Sequence, residues 1–227
     1  MHFLLALAAI GWTQPALSQP NPASTANRAV QIAQAREHNA ALMHQYNWNS
    51  RTELVVQGQV KDTRIEQVSY GPNGQLQRTT LNDQSSRMPI GFLRRAIAES
   101  EKEKMHEFLT GLRGVLEQYT LPTTGKILDF MMSASPSLPD AQGLIKLSGN
   151  NVVQPGDNLS MWINPWTKHL QHIQVNTTYQ GDAAQLTATF ATVPVSGLNY
   201  TSFAEVTVPA KQLSVQVQNY NYARLAY

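Results

Sequence analysis

From Gly143 onward the chain shows no helical period and is broken by turns at short intervals, and this limits the possible fold more than any other feature. Candidate strands run over residues 144–147, 158–164, 169–179, 185–193, 200–208 and 212–222. Between them stand Pro155-Gly156-Asp157, Pro165-Trp166-Thr167-Lys168, Gly181-Asp182 and Gly197-Leu198-Asn199, residue types that reverse a chain within a few positions. A parallel crossover needs roughly a dozen residues or more, so strands joined this closely are antiparallel neighbours. Alternation then assigns their faces. Leu159, Met161 and Ile163 share one side, with Ile173 and Val175 of the next strand beside them, while Ser160, Trp162 and Asn164 point the other way.

The first half of the chain supplies the remaining elements. Ala29, Ile32, Ala33, Ala40, Leu42 and Met43 sit near helical spacing and predict a helix over 25–44. Residues 49–61 and 63–70 read as strands paired around Lys61-Asp62, and Gly71-Pro72-Asn73-Gly74 turns into a third strand, 75–81. Beyond a polar break at 82–89, Leu93, Ile97, Met105, Phe108, Leu112, Val115 and Tyr119 recur at three- and four-residue steps, so 90–119 reads as a long amphipathic helix. Its section 99–104 is charged at nearly every position and belongs in water. Leu121-Pro122 ends it, and Thr123 or Thr124 caps a shorter helix carrying Ile127, Leu128, Phe130 and Met131 before Pro136 and Pro139. The sum is an α+β fold: a curved antiparallel sheet, an incomplete β-barrel of about nine strands, with three helices covering the concave side. No repeat or long linker divides it, so 25–227 reads as one domain with a helical insertion at 90–135.

Composition narrows the chemistry. Cysteine is absent, which excludes disulfides, thiolate metal sites and a cysteine nucleophile. Seventeen basic and 15 acidic residues leave a net charge of +2 without a basic block, so no footprint for nucleic acid or anionic lipid surface is present. Solubility rests largely on 36 Asn and Gln residues. There is no G-x-S-x-G elbow, no phosphate-binding glycine loop and no H-E-x-x-H helix. His169 and His172 are three apart on a strand, which places their rings on opposite faces rather than on one metal. The expectation is a chain with no catalytic residues, no metal and no cofactor. At the N-terminus, an apolar run over 3–12 followed by Ala16-Leu17-Ser18 has the form of a signal peptide, 1–18, cut after Ser18 and followed by a disordered leader, 19–24. The run is too short to span a bilayer and no lipid-bearing Cys follows, so the expectation is a periplasmic or secreted, soluble protein without a membrane anchor.

The segment Leu159-Ser160-Met161-Trp162-Ile163-Asn164-Pro165-Trp166-Thr167-Lys168, followed by Ile173-Gln174-Val175, resembles the strand, Asx-Pro-x-Thr turn and returning strand of the periplasmic lipoprotein-carrier superfamily, the LolA/LolB-like and outer-membrane lipoprotein-sorting-protein-like proteins. The export segment, first helix and long first hairpin follow the same order, and the long charged helix departs from it. The resemblance implies an incomplete barrel whose helix-covered concave face holds acyl chains of a lipid or lipoprotein, with no catalytic residue. The candidate apolar lining is Met161, Ile163, Ile173, Val175 and Phe190 from the strands, with Phe108, Leu112 and Met131 from the helices, the Met131-Met132 pair suiting a pliable lid. Two functions follow from such a body: a carrier for a lipid-like ligand if the concave side is hollow, or an envelope protein-interaction or sensor module if the core is filled and an apolar patch lies outside.

Overall fold

The computed structural model describes residues 22–83, 92–121 and 123–225. The signal segment 1–18, the leader up to residue 21, and residues 84–91 lie outside the described residues. The first helix, α1, spans Pro22–Met43. It therefore begins inside the stretch read as a disordered leader: proline is favoured at the first position of a helix, where its missing N–H has no partner to lose, so 22–24 form the opening turn.

Three strands follow: β1 (Tyr46–Val56), β2 (Gln59–Tyr70) and β3 (Leu76–Asp83). Helix α2 spans Phe92–Glu117 and tightens into a single 3₁₀ turn at Gln118–Thr120. Helix α3 spans Thr124–Ser133, its first turn capped by Thr123, whose hydroxyl oxygen accepts from the Lys126 N–H at 3.2 Å. Seven strands complete the chain: β4 (Ser135–Pro136), β5 (Ile145–Asn150), β6 (Asn158–Ile163), β7 (Leu170–Tyr179), β8 (Asp182–Thr192), β9 (Asn199–Val208) and β10 (Leu213–Arg224).

All ten strands form one open antiparallel sheet in the order β3-β2-β1-β10-β9-β8-β7-β6-β5-β4. Two meanders are thus joined where the last strand pairs with the first. The order explains the helices. The chain leaves β3 at one edge and must reach β4 at the other, a sheet width of about 43 Å at normal strand spacing. Helix α2, at 26 residues, is about 39 Å long, and its C-terminal half with the turn that follows packs on Tyr179 and Thr177 of β7 and on the β5–β6 turn. The far edge is closed by a two-residue strand containing a proline, which offers little to an incoming chain.

Register sets the two faces apart. Directly paired residues run across the sheet as Gly149, Leu159, Val175, Leu186, Val206, Val215 and Leu54 on the helix-covered face. One step along, the row is Ser148, Ser160, Gln174, Thr187, Glu205, Gln216 and Glu53 on the outer face. Leu159 and Val175 are fully buried under Phe108, Leu112 and Tyr119 of the α2 segment and Ile127 and Phe130 of α3. The amides, hydroxyls and carboxylates of the outer row are what keep so long a sheet in water.

Two details differ from the sequence expectation. The β1–β2 turn lies at Gln57-Gly58, not Lys61-Asp62: both residues have positive φ, 54° and 71°, as a two-residue hairpin of the twist-compatible type demands, and Gly58 meets that demand at no steric cost. Lys61 is the extra residue of a bulge opposite Leu54-Val55, which puts two polar residues in a row without a turn. The tenth strand is β4, too short to carry a period.

A buried polar knot fixes α2 to the sheet. Asp157, in the β5–β6 turn, accepts N–H bonds from Val152 (2.6 Å), Val153 (2.8 Å) and Gln154 (2.8 Å) and a hydroxyl bond from Tyr119 (2.7 Å). Burial works against the Asp157 carboxylate, but the bonds from Gln154, Tyr119, Val153 and Val152 outweigh it and hold its pKa below the usual value. Burial pushes the Tyr119 phenol up to about 12, with the Thr177 hydroxyl, 2.8 Å away, working against the shift and Asp157 working with it.

Candidate binding cavity

The concave face is packed at one end and hollow at the other. At the end that α2 covers, Phe108, Leu112 and Tyr119 join Leu159 and Val175 in one buried cluster. Beyond it, α1 and α3 pack on each other above β5–β9 and enclose a cavity of about 380 Å³. The floor is Leu147, Met161 and Ile173, adjacent on β5, β6 and β7, extended by Ile163, Leu170 and Phe190; the roof is Ile32 and Ala35 of α1 with Ile127, Phe130 and Met131 of α3. The roof is seated by Gly149, where a Cβ would stand 2.8 Å from Cε2 of Phe130, so the ring lies directly on the β5 backbone.

Of the candidate lining residues, Met161, Ile163, Ile173, Phe190 and Met131 stand on this wall. Val175, Phe108 and Leu112 do not; they belong to the packed end. Val175 is closed over directly beside Leu159, and the Phe108 ring tilts against Tyr179 at 5.1 Å with the Lys211 ammonium 4.8 Å above it. The wall also includes residues that strand alternation does not reveal, among them Ala35 and Asn39 of α1 and the turn residues Lys168 and His169. Their only signal in the sequence is the helical spacing of Ile32, Ala35 and Asn39 along one side of α1.

Polar contacts tie the roof to the frame. The Asn39 side chain donates to the Asn199 carbonyl at 2.7 Å and accepts from the Asn199 N–H at 2.7 Å, imitating a strand neighbour at the start of β9. Arg36 donates through Nη1 to the carbonyls of Thr120 and Leu121, linking α1 to the segment between α2 and α3. At the open end, Asn164 Oδ1 accepts from the N–H groups of Trp166 (2.9 Å) and Thr167 (3.1 Å), folding the β6–β7 turn that carries Lys168 and His169. Lys168 holds a left-handed backbone, φ 61°, and its ammonium donates to the Pro165 carbonyl.

His169 lines the cavity, while His172 lies on the outer face, edge-on to Trp162 at 4.9 Å, with the Lys146 ammonium 4.9 Å from the same indole. Burial lowers the His172 pKa, and a bond to the Ala188 backbone works the other way. An aromatic wall continues from the cavity over the first meander: Tyr200 tilts on Tyr222 (4.0 Å), which stacks on Trp48 (5.4 Å), and Tyr70 packs beside Trp48 (6.1 Å) and stacks on His44 (4.1 Å). Burial, then the neighbouring Tyr200 and Tyr70, raise the Tyr222 phenol pKa well above its ordinary value.

Comparison with solved structures returns similar chains of three descriptions. A DUF1329 family protein from Desulfovibrio piger matches with 9% identity over 89% of this chain and 92% of that one, at a TM-score of 0.36. A protein described as an outer membrane lipoprotein-sorting protein domain, from Vibrio parahaemolyticus, matches with 9% identity over 88% of this chain and 94% of that one, at 0.43. A LolA superfamily protein from Nitrosomonas europaea matches with 9% identity over 88% and 94%, at 0.34. No family model matches the chain, and no curated protein matches it.

Among the described residues no group of three or more His, Asp or Glu is placed to hold a metal ion, and no helix is long and apolar enough to cross a membrane. Two apolar side chains stand exposed in turns of the sheet, Trp166 in the β6–β7 turn and Val195 in the β8–β9 turn, 77% and 110% exposed.

Proposed function

We propose that this protein is a non-enzymatic binding or carrier protein for a lipid-like ligand, an acyl chain of a lipid or lipoprotein being the type case. The observation that carries the reading is the cavity itself. Protein interiors close-pack, and a hollow of about 380 Å³ walled by Met161, Ile173, Phe190, Phe130 and Leu147 leaves apolar side chains without partners on one side. Such a space lies within the range of small-molecule sites, which run from about 300 to 1,000 Å³. A filled core would have favoured the interaction module. The wall offers chain-shaped apolar contact, and the polar groups stand at its margin, which suits holding a molecule rather than transforming it.

The export reading belongs to the same proposal and rests on the apolar run 3–12 and Ala16-Leu17-Ser18. An intact mass that starts at Gln19 supports it, and a mature chain retaining 1–18 contradicts it. Ligand binding is tested with N-phenylnaphthylamine, a neutral dye that brightens in apolar surroundings. The expected result is saturable uptake, reduced in Ala35→Phe, whose ring would fill the space below α1. Absence of saturable uptake in the unmodified protein would remove the carrier reading.

A further inference from the structure

We propose that the cavity selects a single-chain amphiphile with an anionic head group, a carboxylate or a phosphate monoester, whose head sits by Lys168 and whose chain lies along Met161 and Ile173. This rests on the proposed lipid-like ligand and adds its charge and its size.

The charge follows from the wall. Arg36 and Lys168 both line the cavity, His169 joins them, and among the described residues no Asp or Glu lines it. A wall with two permanent cations and no carboxylate is complementary to an anion and opposes a cation. Neither cation is consumed by its protein contacts. Arg36 uses only Nη1 on the carbonyls of Thr120 and Leu121, and its guanidinium carries three further N–H donors on Nε and Nη2. Lys168 donates to the Pro165 carbonyl, and an ammonium has three donors.

Position supports the same choice. Arg36 is exposed and Lys168 half-buried, whereas the floor beyond them is apolar. A bound amphiphile would therefore keep its head at the water boundary, where a charge-assisted bond costs little desolvation, and bury only hydrocarbon. The size limits the tail. A volume of about 380 Å³ lies near the lower end of the range for small-molecule sites, which favours one chain over the two of a phospholipid or the three of a lipoprotein anchor.

The test displaces N-phenylnaphthylamine from the full-length mature protein with four amphiphiles of one chain length, each below its critical micelle concentration: dodecanoate, monododecyl phosphate, the glycerol monoester of dodecanoate, and dodecyltrimethylammonium. The expected result is that at least one of the two anions binds about tenfold more tightly than the neutral ester, the scale of one charge-assisted hydrogen bond, with the cation weakest. Which anion is tighter separates a carboxylate from a phosphate ligand. Lys168→Asn, which keeps a residue type tolerant of the left-handed turn, should bring the anions to the level of the neutral ester, and Lys168→Arg should restore the preference. Equal binding of all four overturns the head-group inference and leaves the apolar-ligand reading standing. An unchanged anion preference in Lys168→Asn overturns the placement of the head. Failure of the dye and of every amphiphile overturns both readings together.

Discussion

Asp157 shows how one side chain can organise a region whose strands come from distant parts of the chain. Three backbone N–H groups and the Tyr119 hydroxyl converge on it, so removing its charge leaves buried donors with a weaker acceptor or none. Asp157→Asn is expected to lower stability by about 1–3 kcal/mol at neutral pH. The pH dependence follows from the depressed pKa: the stabilisation is complete above the pKa of an unfolded aspartate and is lost as pH falls through the lower folded value. Urea titrations at about pH 7 and about pH 3 should therefore show the gap between parent and variant narrowing in acid. Val195 makes the opposite case. It is β-branched, holds a left-handed backbone at φ 74°, and is fully exposed, so strain is present and no packing offsets it. Val195→Asn is expected to raise stability by about 1 kcal/mol, read as an upward shift of the thermal midpoint.

At the scale of elements, what could be read from the sequence was whatever a local period or a turn residue announces. The turns around Gly71, Asn164, Gly181 and Gly197 stand where their residue types put them, and the faces of Leu159 and Trp162 follow alternation. The Lys61-Asp62 pair misled because a bulge and a turn leave the same mark, a break in the alternation. Pairing of β1 with β10 left no local mark at all, because it joins residues at opposite ends of the chain. The cavity was half legible for the same reason. Its strand wall follows from alternation, but which helix covers which strand depends on where α1 and α3 dock, and neither period contains that. Phe108 and Leu112 illustrate the consequence: their spacing marks a buried stripe, and only the crossing of α2 puts that stripe over the packed end. Phe108→Ala is accordingly expected to cost roughly 3 kcal/mol or more, since it empties a buried ring position in the core and forfeits the contact to Tyr179. Chemical denaturation checks this, with the far-ultraviolet β-sheet signal retained at low temperature.

The described residues form one open ten-stranded sheet whose helix-covered face is apolar across β5–β10 and whose edge strand β3 is exposed on both faces. Covering so broad a face with three helices leaves one part close-packed and another hollow, and the division falls between the Leu159–Val175 pair and the Met161–Ile173 pair on the same two strands. The Asp157–Tyr119 knot holds α2 to the packed end, while the roof over the hollow is held by hydrogen bonds from Arg36 and Asn39 and by the core packing of Ile127 and Phe130. The most direct measurement is the content of the cavity itself. Protein purified from its native envelope without detergent, extracted with organic solvent and analysed by lipid mass spectrometry, is expected to yield a lipid-like species in stoichiometric amount, and to yield much less when Ala35→Phe occupies the space. A correctly folded protein that carries no such species, and takes none up when lipid is supplied, would contradict the account.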